Sequence, residues 1–439
     1  MKFKYIPMLF LAASLGLASC DDYLDKEPES NVTPAAFFTA EADLAAYTIN
    51  MYGVLTSNNQ GSYGMGTFAY DNDTDNQAAT GYSSRWVPGN WKVGSTGGAW
   101  DFSSIRNVNY FLDQVLPKFE AKSITGAEAN VRHYVGEAYF LRAYMYLDKL
   151  QSIGDCPIVL NALPDDKATL VEASKRQPRY KVAQQILDDL DKALGLLSES
   201  APGGKNRISR DAALLLRSRA ALFEATWEKY HKGTAFVPGG PGWPGKAEDI
   251  QGFDIDASIN HFLEEAMKSS KELGDKLADN LVENTDAAEG QDANLASLNP
   301  YYTMFCDKDM SGYSEVIMYR AFDRTKANVT HNLQMQLQRN GGGTGWTRGL
   351  VNSFLMRNGL PIYAAGSGYD PAWENQGVKA TLQNRDSRIQ IFTKMDGSVE
   401  NYTADGVNTV DLAWTVMGNN ETRMVTGYAV KKGKNYDVE

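Results

Sequence analysis

The residues best equipped for chemistry lie between positions 71 and 91. Asp71, Asp73, Asp75 and Asn76 stand near Tyr82, Arg85, Trp86, Asn90 and Trp91. Carboxylates, carboxamides and a guanidinium bond hydroxyls, and aromatic faces stack on the C–H surfaces of a ring, so this mixture suits recognition of a polyol. The three aspartates alternate as oxygen ligands of a calcium loop do. An EF-hand needs Gly at its sixth position and Glu at its twelfth, and those places hold Asn76 and Tyr82. The run at Asp307, Asp309, Ser311 and Gly312 fails the same test, with Met318 at the twelfth position. A structural cation in the 71–76 run stays open, and no metal is expected as a working part.

Catalytic patterns do not occur. His133, His231, His261 and His331 form no HExxH, and Gly-x-Ser-x-Gly, a Walker loop and a dinucleotide fingerprint are all missing, so no cofactor is expected. His133 reads as a solvated residue on a helix surface. A glycosidase would need only two carboxylates flanking a bond, and counting among 54 acidic residues does not remove such a pair. An enzyme therefore stays open as an alternative, although nothing singles out a catalytic residue.

These groups need a scaffold to position them. Residues 56–100 are rich in glycine and carry Tyr63, Tyr70, Tyr82, Trp86, Trp91 and Trp100. A loop this long is either functional or disordered, and its aromatic load argues for function. Helical spacing brackets it. Leu44, Tyr47, Met51 and Leu55 form one face before it; Ile105, Val108, Leu112, Val115 and Phe119 form another after it, with Asp101 as cap and Pro117 as interruption. From Thr125 to Val159 runs the longest helical pattern, expected to open on a Thr125–Glu128 capping box and to stop at Gly154 and Pro157. Gly136 and Ala138 in its middle allow a neighbouring backbone close approach. Further helices are expected around 183–197, from Ser209, and from an Asp256 cap. Trp227 falls on a seam of alternating three- and four-residue spacings and reads as core. From about Leu281 onward the chain reads as loops and small strands. The class is mainly α, with long irregular loops and minor β in the C-terminal half.

Composition narrows the partners. A hydrophobic content of 43% with 22% charged residues describes a folded chain, and a formal charge of −11 argues against nucleic acid and anionic membrane surfaces. At the start, Lys2 and Lys4 precede an apolar run from Ile6 to Leu17, followed by Leu17-Ala18-Ser19-Cys20. Those four residues resemble the lipobox of bacterial lipoproteins, which implies cleavage before Cys20 and a lipid on its thiol. Cys156 and Cys306 are then the remaining cysteines, either free thiols or one disulfide.

The stretch GEAYFLRAYMYLDKLQSIGDCPIV at 136–159 resembles the signature of the SusD/RagB family of Bacteroidota outer-membrane lipoproteins. In the family's order follow or precede TPAAFFTAEADLAAYTINMYGVL at 33–55, YKVAQQILDDLDKALGLL at 180–197 and NRISRDAALLLRSRAALFEATW at 206–227. LVNSFLMRNGLPI at 350–362, NRDSRI at 384–389 and TGYAVKK at 426–432 match more loosely. The resemblance implies a tetratricopeptide-like helical-hairpin scaffold with irregular loops that form a glycan site. It implies residues 1–19 as signal peptide, 20–34 as tether, and 35–439 as one domain, with the scaffold over about 35–275 and the loop-rich part over about 276–439. Relatives continue into further helices, so the last hairpin is expected to be missing here, and Cys156 stands where they usually carry a small apolar residue.

The same resemblance implies a cell-surface lipoprotein, anchored in the outer membrane and facing outward, that captures an oligosaccharide and delivers it to a SusC-like TonB-dependent transporter. Family members place glycan contacts in this loop and in later ones. Trp86 and Trp91 are then the expected stacking platforms, with Tyr82 beside them, and Asp73, Arg85 and Asn90 the hydroxyl partners. Tyr301 and Trp346, the latter in GGGTGW where glycine permits close approach, are the candidates from the second half. The same rings would equally serve to pin a long loop to its scaffold, and a member binding peptide is the other alternative. The 125–159 helix is expected to be architecture that touches no ligand.

Overall fold

The computed structural model describes residues 37–55, 66–79, 81, 83–90, 92–285, 299–307, 309–321, 343–403, 406–410, 412 and 425–434. Cys20 lies outside them. Seven helices precede residue 280 among these residues: α1 (Glu41–Met51), α2 (Ser103–Glu120), α3 (Glu128–Ile153), α4 (Lys167–Ala173), α5 (Arg179–Leu196), α6 (Arg210–His231) and α7 (Ile255–Leu277). All but α4 follow the apolar periodicities, whereas α4 forms in a segment, 160–179, whose polar sequence reads as irregular. α1 and α2 pack on α3, α3 on α5, α5 on α6 and α6 on α7. The expected mainly α class and helical-hairpin scaffold are what is observed. Strands are short: β1 (Gln77–Ala78) pairs antiparallel with β2 (Gly345–Trp346), and β3 (Val399–Thr403) with β4 (Gly406–Thr409). No helix among the described residues is long and apolar enough to cross a membrane.

α3 is buried around most of its circumference, as a helix enclosed by neighbours must be. Gly136 faces the end of α5. A Cβ there would lie 3.0 Å from the Leu197 side chain and 3.1 Å from its backbone nitrogen, so any larger residue would require that end to shift by a few tenths of an ångström. The start of α3 departs from expectation. Glu128 is its first residue and Ala127 its cap, so the Thr125–Glu128 box does not form. The Glu41 carboxylate of α1 instead accepts the Ala127 N–H at 2.7 Å and the Asn130 amide at 2.6 Å, while the Thr125 hydroxyl donates to the Thr39 carbonyl at 3.1 Å. A neighbouring helix thus supplies the cap that the local sequence seemed to hold. Similarly, α7 is capped by Asp254, whose carboxylate accepts the Asp256 and Ala257 N–H groups at 2.8 and 3.1 Å. Ser209 caps α6 as expected. Pro117 is carried inside α2, which runs on to Glu120.

His133 is the clearest correction, for it is fully buried. The Ser198 N–H donates to its Nδ1 at 3.1 Å, which leaves the proton on Nε2 to donate to Glu137 Oε1 at 3.1 Å. Glu137 also accepts from Arg207 at 2.8 and 2.6 Å, and the Arg207 guanidinium lies 4.7 Å over the Tyr134 ring. Arg142 forms the companion pair. Its Nε and Nη2 each reach an Asp189 oxygen at 2.7 Å, and its Nη1 donates to Asn109 Oδ1 and to the Leu160 carbonyl, both at 3.0 Å. One guanidinium therefore joins α2, α3, α5 and the segment after α3. Tyr146 adds a second tie, donating to the Val159 carbonyl at 2.9 Å and accepting its N–H at 2.7 Å. Cys156 and Cys306 are free thiols, the first buried, and burial pushes the Cys156 thiol up to about 12. Trp227 is half-buried, with the Arg179 guanidinium 4.3 Å over its ring.

Between α5 and α6 lies a third buried pair, in which Arg179 donates to both Glu224 oxygens. Glu228 follows one turn later. Burial first, and then the charge on Glu224, push its carboxyl up to about 8. Between the unfolded value and about 8 the folded chain holds the extra proton, so stability falls as pH rises through that window, by up to about 1.4 kcal/mol per unit. Urea unfolding at pH 5.5 and 8.5 should show this decline, and Glu228→Gln should flatten it; an unchanged slope in the variant would assign the decline elsewhere. Arg142→Met leaves Asp189 buried and uncompensated, and should cost about 3–5 kcal/mol in the same measurement. A loss below about 1 kcal/mol would show that the fork is not what holds these helices.

Candidate functional site

The loop that precedes α2 is built from its polar residues inward. The chain turns at Asp73, whose φ of 65° is left-handed, a conformation Asp tolerates better than most residues. The Thr74 hydroxyl donates to the Asp71 carbonyl at 2.7 Å and accepts the Asn76 N–H at 3.1 Å. Gln77 is buried and bonds the Phe68 carbonyl at 3.0 Å and Asn72 Oδ1 at 2.9 Å, closing the turn on itself. The far half of the chain then clamps it. Gln77 pairs with Trp346, the Thr347 N–H donates to the Asn76 carbonyl at 2.9 Å, and the Thr347 hydroxyl donates to the Asp75 carbonyl.

Trp86 ends a single helical turn, Ser84–Trp86. Its indole N–H donates to the Asp73 carbonyl at 2.8 Å, while the residue stays 61% exposed. The ring is thus held at one edge while much of its surface faces solvent. The Asp73 carboxylate and the exposed Asn90 carboxamide have no hydrogen-bond partner among the described residues. Tyr82, Trp91 and the Arg85 side chain lie outside the described residues. Tyr301 sits apart from this group, on the short helix Pro300–Met304, with its ring 5.3 Å from Phe305 and 5.8 Å from Phe392. Trp346 meets the loop through its backbone. Its half-buried ring packs against the cluster of Val351, Leu382, Ile389 and Met395, and its indole nitrogen is buried with no partner among the described residues.

A cavity of about 530 Å³ opens at the foot of the loop, between Tyr70, Asp101 and Ser104 on one side and Tyr144, Asp148 and Lys149 of α3 on the other. Lys149 is only 8% exposed, and its ammonium lies 5.4 Å from the centre of the Phe102 ring. The Asp101 carboxylate accepts the Ser103 N–H at 2.8 Å, which holds its carboxyl below the usual range and keeps it ionised. Sequence reading missed this wall because Asp148 and Lys149 sit in a helix judged purely architectural. The signal was there: two adjacent charges inside an otherwise apolar run. No group of three or more His, Cys, Asp or Glu side chains among the described residues is placed to hold a metal.

Comparison with known proteins shows what the chain is similar to. Residues 22–222 match a SusD-like family described as starch-binding associating with outer membrane. Two SusD-like proteins of Formosa agariphila are 23% and 26% identical over 226 and 204 residues, covering 48% and 44% of this chain. Those stretches are 41% and 37% of the relatives' own lengths, so the chain matches well under half of each. Among solved structures, a SusD-like protein from Bacteroides fragilis superposes with a TM-score of 0.57 at 20% identity, over 94% of this chain and 72% of that one. A SusD-like carbohydrate binding protein from the same species gives 0.57 at 14% identity, over 91% and 68%. These structures show the same fold. The segment from 22 to 222, just under half of the chain, is thus similar to the SusD-like family, and the helical stack built around α3 shares the fold of the superposed structures.

Proposed function

We propose that the protein binds an oligosaccharide on the face formed by the 66–100 loop and passes it, unaltered, to a SusC-like TonB-dependent transporter. It sits at the outer membrane facing outward, held by a lipid on Cys20. The observation that carries the binding step is Trp86: an aromatic ring kept open to solvent while its one polar atom is tied down. A sugar ring stacks on such a face, and the Asp73 and Asn90 side chains of the same loop, without a hydrogen-bond partner among the described residues, supply bonds to hydroxyls. The family description and the carbohydrate-binding neighbour support the same ligand class.

Turnover is not part of this reading. A glycosidase needs one carboxyl held protonated as a general acid, which requires a raised pKa. Among the described residues the carboxyls pushed up are Glu224 and Glu228, both enclosed between helices, while Asp101 at the cavity is pushed down. Calorimetry of the intact protein against neutral oligosaccharides, α-glucans included, tests the proposal. Trp86→Ala should weaken binding at least about tenfold, or 1.4 kcal/mol. Trp346→Phe removes an N–H that has no partner among the described residues and should leave affinity unchanged. Failure to bind any glycan, or product released during the titration, would defeat it.

A further inference from the structure

The glycine- and proline-rich run at 237–245 presents a second aromatic ring. Trp243 is half-buried, and its indole N–H donates to Asp155 Oδ2 at 2.8 Å. Its six-membered ring lies against Gly245, where a Cβ would stand 2.2 Å from two ring carbons, so only glycine seats it there. The ring borders a cavity of about 380 Å³ that also takes in Lys175, Arg176 and Lys246.

The charges in this cavity are unequal in what they have left to give. Asp155 spends one oxygen on Trp243 and the other on the Arg179 N–H at 2.9 Å. Asp249 accepts the Lys246 N–H at 3.3 Å. Lys175 and Lys246 pair, in solvent, with Glu172 at 2.6 Å and Glu248 at 3.2 Å. Arg176 has no carboxylate partner among the described residues; its guanidinium lies 5.6 Å over Trp100, at the end of the aromatic loop. A fixed ring face beside an open guanidinium is what a planar sugar with an acidic substituent requires, because the guanidinium fork matches a carboxylate. On a chain of net charge −11, such a cation-lined cavity is a local exception.

We infer that the Trp243–Arg176 cavity is a second saccharide subsite, selective for a carboxylated ring, a uronate. The inference rests on the glycan-binding reading and extends it to acidic sugars. Calorimetry of the intact protein with trigalacturonate and with its methyl ester, which keeps the ring and removes the charge, tests it. The ester should bind at least about tenfold more weakly, the loss expected for a charge-assisted bond. Arg176→Gln, a change at an exposed side chain, should bring trigalacturonate down to the level of the ester, and Arg176→Lys should recover part of the difference. Trp243→Ala should weaken both ligands, with its melting curve checked for loss of the loop. Equal binding of acid and ester, indifference to Arg176→Gln, or no binding of trigalacturonate overturns the inference. If neutral oligosaccharides still bind in a Trp86-dependent manner, only this subsite falls; if no saccharide binds at all, the glycan reading falls with it.

Discussion

Everything in this molecule hangs from the fork between Arg142 and Asp189. It is buried, bidentate and shared among three helices and a connecting segment. Two charges in a protein interior are costly unless every lone pair and proton is met, and here the guanidinium is met by a carboxylate, a carboxamide and a carbonyl. The Glu137–Arg207 and Arg179–Glu224 pairs repeat the device on either side. Helices that met only through apolar side chains could slide or rotate; helices joined by forks have one register. A fixed register is what a loop needs if it is to hold rings at set positions on top of it.

The scaffold was legible because helices announce themselves locally. Apolar spacing located α1 to α3 and α5 to α7, and Gly136 signalled the close contact with the end of α5. What failed was anything settled by a neighbour outside the window. Thr125 and Glu128 have the right spacing for a cap, yet Glu41 occupies the position first. His133 is polar and therefore read as solvated, but Glu137 and the Ser198 amide satisfy it inside. Asp254 rather than Asp256 caps α7 by a difference of two positions in an acidic run, which pattern alone does not rank.

The candidate site was legible in part. Asp73, Trp86 and Asn90 lie in one loop, where the Trp86 indole meets the Asp73 carbonyl, since chain neighbours stay neighbours in a turn. Trp346 reaches that loop by strand pairing, which nothing in its own surroundings encodes, and its ring turns out to pack inward. Asp148 and Lys149 were hidden by the opposite error, a helix assigned one role only. A helix buried along most of its length still has an end that faces a cavity.

The pairing of β1 with β2 has a consequence for the order of events during folding. Asp75 and Thr347 are 272 residues apart in sequence, whereas successive scaffold helices meet across short connections. Contacts of such high separation form late, because the entropy of closing a long loop is met before the bonds return anything. The helical stack therefore assembles first and stands as a template, and the β1–β2 clamp closes only when the far half of the chain docks. A chain built this way carries the turn at 71–77 unclamped until more than three quarters of its length has been placed.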